Sequence, residues 1–125
     1  LTWMHQNKAD YTNTFCFLMN KEIKNESIYK NENFLIWKKR WEERLKINNN
    51  TLEKCLKLMR TVNPLVIPRN HKVEEALDAA NNNDLTLLKK ITTVLEKPYE
   101  NQKDIVDYQS PSLLGDKKYQ TFCGT

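Results

Sequence analysis

Two prolines four residues apart, Pro64 and Pro68, enclose Leu65-Val66-Ile67 in a chain whose segments on both sides carry helical spacing. Proline has no backbone N–H to donate, and the residue before it is pushed out of the helical region. A helix arriving from the N-terminal side must therefore stop before Pro64, and none can begin until Pro68 is passed. Three apolar residues held extended between two prolines are expected to be buried. The stretch Asn63-Pro64-Leu65-Val66-Ile67-Pro68-Arg69-Asn70 is thus read as a strap joining two sets of helices.

The rest of the chain fills in around it. Asp10 is a good N-cap for a first helix with Tyr11, Phe15, Leu18 and Met19 on one face. A second runs from about Asn31 to Ile47 and carries Phe34, Trp37, Trp41 and Leu45 as an amphipathic stripe. A third starts at Asn50, with Glu53 three residues on as in a capping box, and presents Leu52, Cys55, Leu56 and Met59. After the strap, Asn70 is expected to cap a fourth helix with Val73, Ala76, Leu77 and Ala80 inward, and Glu74 and Glu75 near its positive end. A fifth starts near Asp84, places Leu85, Leu88, Ile91 and Leu95 on one face, and ends before Pro98. From Tyr99 onward periodicity is lost, and Pro111 and Gly115 enter. The expected architecture is all-α: a small bundle of about five helices over residues 1–98, followed by an extended, irregular tail over 99–125. No segment alternates as a strand does, and no internal repeat is visible.

Composition excludes several classes of function. Only two glycines occur, Gly115 and Gly124, so this segment cannot supply the closely spaced glycines of a phosphate-cradling loop. The three cysteines, Cys16, Cys55 and Cys123, are far apart, odd in number and without a C-x-x-C pair. That argues against a disulfide framework and a structural zinc site, and suits a reducing cytoplasm. His5 and His71 are too distant to form a metal pair on one helix, so no metal ligands are expected. With 39% hydrophobic and 29% charged residues, and no apolar run of about 18 residues, the chain reads as a soluble, non-membrane one. It lacks the layout of a signal peptide, and its first residue, Leu1, is no natural start, so a larger parent protein is expected. Residues 1–60 carry 12 Lys+Arg against 7 Asp+Glu, and residues 61–125 carry 8 against 9. This asymmetry is milder than the basic stripe of a nucleic-acid binder.

Each chemically suggestive group has a plainer reading beside it. Lys38-Lys39-Arg40 with Trp37 and Trp41 resembles a stacking, basic nucleic-acid patch. Because the tryptophans share a stripe with Phe34 and Leu45, core is favoured, with Arg40 and Arg44 flanking the rings. The neighbours Glu42-Glu43 and Glu74-Glu75 point about 100° apart on a helix, so neither forms a shared-proton dyad. Cys16 and Cys55 lie on or beside apolar faces, where a thiol acts as a small hydrophobe. Cys123, third from the end, is open to thiol exchange with a partner, or is an incidental tail cysteine.

Taken together, these segments resemble the C-terminal part of the selenoprotein O (SelO, bacterial YdiU) family. The most specific stretch runs from Met59 to Asn70 and is similar to an M-x-x-x-N-P-x-x-x-x-R-N signature. Ala9-Asp10-Tyr11-Thr12-x-x-Phe15 resembles the family's A-D-[FY]-T-x-x-F element, and Trp37-x-x-x-Trp41 with Arg44-Leu45 its tryptophan helix. Cys123-Gly124-Thr125 matches the position held by cysteine in bacteria and by selenocysteine in many animal proteins. Two residues depart from the pattern: Cys16 replaces a common arginine, and Asn83 replaces a glycine before Asp84. The resemblance implies a parent with a pseudokinase-like fold that uses ATP and magnesium to transfer AMP to Ser, Thr or Tyr hydroxyls of protein substrates. It places the nucleotide site upstream of residue 1, so this segment should be non-catalytic and hold no cofactor itself. Its partner would be the upstream kinase-like domain, and Cys123 would serve redox control. Asn63, Pro64, Arg69 and Asn70 then shape the strap, while Phe34, Trp37 and Trp41 are core or docking surface. Isolated from its parent, the segment is expected to expose an apolar patch and to dimerise through it. The alternatives are a stand-alone helical interaction module and a nucleic-acid binder using Lys38, Lys39 and Arg40.

Overall fold

A computed structural model describes residues 1–21, 23, 26–47, 51–103 and 105–112. Among them the secondary structure is helical throughout. The elements are α1 (Thr2–Gln6), α2 (Tyr11–Leu18), a 3-10 turn (Glu26–Lys30), α3 (Glu32–Ile47), α4 (Leu52–Val62), α5 (Asn70–Asn81), α6 (Thr86–Glu96) and α7 (Ile105–Gln109). The five longer helices are those that periodicity predicts. The short α1 and α7 are additions, because one helical turn is too little chain to show a period.

Capping explains most of the boundaries. Asp10 accepts from the Asn13 N–H at 2.9 Å, as expected of an N-cap. Asn31 does the same for α3, accepting from the N–H groups of Asn33 at 3.0 Å and Phe34 at 3.4 Å. For α4 the cap is Thr51, which accepts from Lys54 N–H; Asn50, the expected start, lies outside the described residues. Arg69, not Asn70, occupies the N-cap of α5, because the extended backbone after Pro68 continues one residue and Asn70 already has helical geometry. Asn83 adopts a φ of 64°, the left-handed conformation that Asn tolerates in place of glycine. Asp84 accepts from Thr86 N–H at 2.9 Å, and hydrogen bonding by the Thr86 side chain and then by this N–H holds its carboxyl below the usual carboxylate range.

The core gathers Cys16, Leu18, Met19, Ile23, Tyr29, Phe34, Leu65, Val66, Val94 and Ile105. The strap passes through its centre: Leu65 and Val66 are each 2% exposed, and Leu65 N–H donates to the Pro98 carbonyl at 2.7 Å. Beside it lies an aromatic nest. Phe17 stacks on Tyr29 at 4.4 Å between centroids, and Trp3 approaches Phe34 at 4.7 Å. The most extensive helix–helix contact is between α5 and α6.

Some faces turn differently from the periodic expectation. Tyr11 is 58% exposed, since α2 buries Asn13, Thr14, Cys16 and Leu18 instead. Leu77 on α5 and Leu85 before α6 are about half exposed, and Ala76, Ile91 and Val94 carry the burial there. Periodicity names an apolar stripe, but the part of it that is covered depends on where the neighbouring element lies.

Candidate functional site

The densest chemistry among the described residues is where α2, the strap and α7 meet. Asp10, held at the start of α2 by its capping bond, faces Arg69, which is extended at the N-cap of α5. Arg69 Nη1 donates to Asp10 Oδ2 at 2.7 Å and Nη2 donates to Oδ1 at 2.8 Å. The side chains are 12% and 17% exposed, so this two-pronged pair is largely shielded from water. Arg69 Nη2 also donates to the Gln109 carbonyl at 3.0 Å, as does Asn13 Nδ2 at 3.1 Å. Gln109 Nε2 in turn donates to the Leu65 carbonyl at 2.7 Å. Thr14 Oγ1 donates to the Asp10 carbonyl at 2.6 Å and, its one hydrogen so used, accepts from the Tyr29 hydroxyl at 3.1 Å. Burial raises the Tyr29 phenol above its ordinary range, and the bond to Thr14 partly offsets it.

Cys16 sits one helical turn further on, fully buried, with its Sγ 3.8 Å from the carbonyls of Pro64 and Leu65. Burial, aided by the Asp10 charge, pushes its thiol up to about 11, so it stays protonated at neutral pH. A protonated, inaccessible thiol is neither a nucleophile nor a ready redox partner. Cys16 therefore acts as a small core residue donating a weak hydrogen bond to the strap. Cys55 is a partly buried free thiol.

The residues singled out from the sequence fall into separate places. Asn63 ends α4, its Nδ2 donating to the Met59 carbonyl at 2.9 Å. Pro64 lies over Cys16, Arg69 is the centre of the polar hub, and Asn70 is an exposed first residue of α5. Phe34 is core at 2% exposure. Trp41 packs against that core, whereas Trp37 is 44% exposed and stacks on Trp41 at 6.4 Å. The cation that meets an aromatic ring here is Lys38, 5.9 Å above Phe17, while Arg40 and Arg44 remain exposed. Cys123 lies outside the described residues. Asn13 and Gln109 were not anticipated. Asn13 carried one signal, a polar residue three positions after a cap and on the same face as Cys16; Gln109 carried none.

The hub holds one carboxylate and one guanidinium. Its single carboxylate is occupied by Arg69, and among the described residues no group of three or more His, Cys, Asp or Glu side chains converges. His71, in the first turn of α5, has its imidazole lowered by burial and by neighbouring Lys72 and Arg69, with Glu75 and Glu74 opposing. Exposed apolar side chains lie along α3 and α4. Leu35, Ile36 and Trp37 on α3, and Leu52, Leu58 and Val62 on α4, are all between 44% and 65% exposed. No helix among the described residues is long and apolar enough to cross a membrane.

Comparison with known proteins matches these features to one group. The family profile described as Protein adenylyltransferase SelO covers residues 1–96. The whole chain is 54% identical to the Protein nucleotidyltransferase YdiU of Pelagibacter ubique and 44% identical to that of Syntrophotalea carbinolica. In each case it spans 26% of the relative's length.

Proposed function

Since the chain belongs to the SelO family of protein adenylyltransferases, we propose that it forms a non-catalytic, C-terminal helical region of a larger enzyme. That enzyme transfers AMP from ATP to Ser, Thr or Tyr hydroxyls of protein substrates in the cytoplasm. The observation that carries this reading is the match of all 125 residues, at 54% identity, to a nucleotidyltransferase almost four times as long. The hub supports a structural role: the Asp10–Arg69 pair and the side-chain and carbonyl bonds of Asn13 and Gln109 join α2, the strap and α7. No step of the transfer is assigned to this chain.

Its partner is the upstream kinase-like domain, and the exposed apolar positions of α3 and α4 support docking there, with Trp37 rather than the buried Phe34 as the aromatic contact. Cys123 would add redox control by pairing with a cysteine of the catalytic domain. The deciding experiment measures label transfer from ATP carrying a radioactive α-phosphate, with magnesium, for the full open reading frame and for residues 1–125 side by side. Labelled protein from the full-length chain alone is the expected result. Silence from both would overturn it and favour an independent helical interaction module. A 125-residue chain that sediments as a monomer and binds no hydrophobic dye would remove the docking surface from the reading.

A further inference from the structure

Among the described residues, three buried side-chain atoms in the hub find no hydrogen-bond partner: Asn13 Oδ1, Gln109 Oε1 and Arg69 Nε. Asn13 and Gln109 are 4% and 2% exposed, so solvent at the surface does not reach them. Buried polar groups left unpaired cost about 1–3 kcal/mol each, and native proteins pair nearly all of them.

The three atoms belong to residues linked by hydrogen bonds through Gln109. Asn13 Nδ2 and Arg69 Nη2 both donate to the same oxygen, the Gln109 carbonyl, at 3.1 and 3.0 Å. The unpaired Oδ1 and Nε are each two bonds away from those donors, and the unpaired Oε1 is two bonds from Gln109 Nε2, the donor to the Leu65 carbonyl. Reversing the amides does not solve the problem. A flipped Asn13 would set its oxygen against the Gln109 carbonyl, and a flipped Gln109 would set its oxygen against the Leu65 carbonyl, 2.7 Å from its present donor. The orientations are therefore fixed by their existing bonds, and the orphan set is one donor and two acceptors.

That set selects its ligand. A cation would meet the Arg69 guanidinium, and an anion would meet two carbonyl-type oxygens. A single neutral molecule that accepts once and donates twice satisfies all three, and buried waters typically make about three such bonds. We propose that the junction of α2, the strap and α7 is a binding site for one internal water, which accepts from Arg69 Nε–H and donates to Asn13 Oδ1 and Gln109 Oε1. The water adds a further connection between elements distant in sequence. The inference rests on the hub geometry and is independent of the family reading.

A crystal structure of the 125-residue chain, at a resolution that defines ordered water, should show density at about 2.7–3.2 Å from at least two of the three atoms. In solution, the Arg69 Nε–H should give a nuclear Overhauser cross-peak to a long-lived water. Gln109→Met keeps the side-chain length but removes Oε1, and the folded variant should lose that cross-peak. Ordered side chains with no water among them, or direct pairing of the orphan atoms, would overturn the proposal. Should Gln109→Met not fold, the wild-type map and cross-peak decide the question alone.

Discussion

Helices α2 and α3 begin alike, each with an Asx cap and each with aromatic residues, yet they end in opposite environments. α2 buries four of its eight residues, two of them polar, and is tied by hydrogen bonds to residues about fifty to a hundred positions away. α3 is twice as long and buries only Phe34. Its neighbour α4 has a broad apolar stripe but buries only Leu56, leaving Leu58 at 65% and Val62 at 62% exposed. The difference is one of partners, since both helices carry apolar residues in quantity. Where the strap and α7 supply complementary groups, a helix can bury even Asn and Thr; where nothing covers it, it leaves Leu and Val in water.

The comparison can be broken most strongly at Phe34, the buried residue of α3. Phe34→Ala should cost about 4 kcal/mol in urea unfolding, since the ring is shared by Trp3, Tyr29 and Trp37 contacts. A loss under about 1 kcal/mol would show that α3 is held by something other than this ring. Next in size, Arg69→Met should cost about 3 kcal/mol by leaving the Asp10 carboxylate shielded and unpaired. Adding Asp10→Asn to that variant should recover part of the loss, and additive losses would count against a coupled pair.

A pH series probes the α2 side alone. The Cys16 thiol ordinarily titrates near 9.0 and in the folded chain near 11. Between those values the unfolded chain has released a proton that the folded chain still holds, so stability falls as pH rises through this window. Tyr29, raised in the same direction, adds to the fall at higher pH. Cys16→Ala should flatten the dependence between about pH 9 and 11 relative to its own value at pH 8. An unchanged slope would place the alkaline loss elsewhere. Smallest of all, Leu58→Ser on the open face of α4 should change the stability of the 125-residue chain by less than about 0.5 kcal/mol. A larger cost would mean that α4 is covered in solution, by a second copy or by its own chain, and sedimentation would distinguish the two.

Much of this molecule was legible residue by residue. Asp10 as a cap, the helix stop at Asn63, the burial of Leu65 and Val66, and Asn83 in the place of a glycine all follow from local sterics and hydrogen bonding. Phe34 as core and Cys16 as a small hydrophobe follow from spacing. What spacing could not reveal was that Asp10 meets Arg69 across 59 positions, or that Gln109, in a stretch without period, donates to the strap and accepts from both sides. Nor could it separate Phe34 from Trp37, one helical turn apart on the same stripe and 2% against 44% exposed.

The sequence by itself determined that the chain is helical, where most of its helices begin and stop, and that an extended apolar strap divides them, because each of these is decided within a few residues by φ/ψ limits and capping. The tertiary structure decided which stripe is covered and which buried polar atoms find one another. Those outcomes depend on the approach of segments separated by tens of residues, and no local pattern encodes the position of a distant partner.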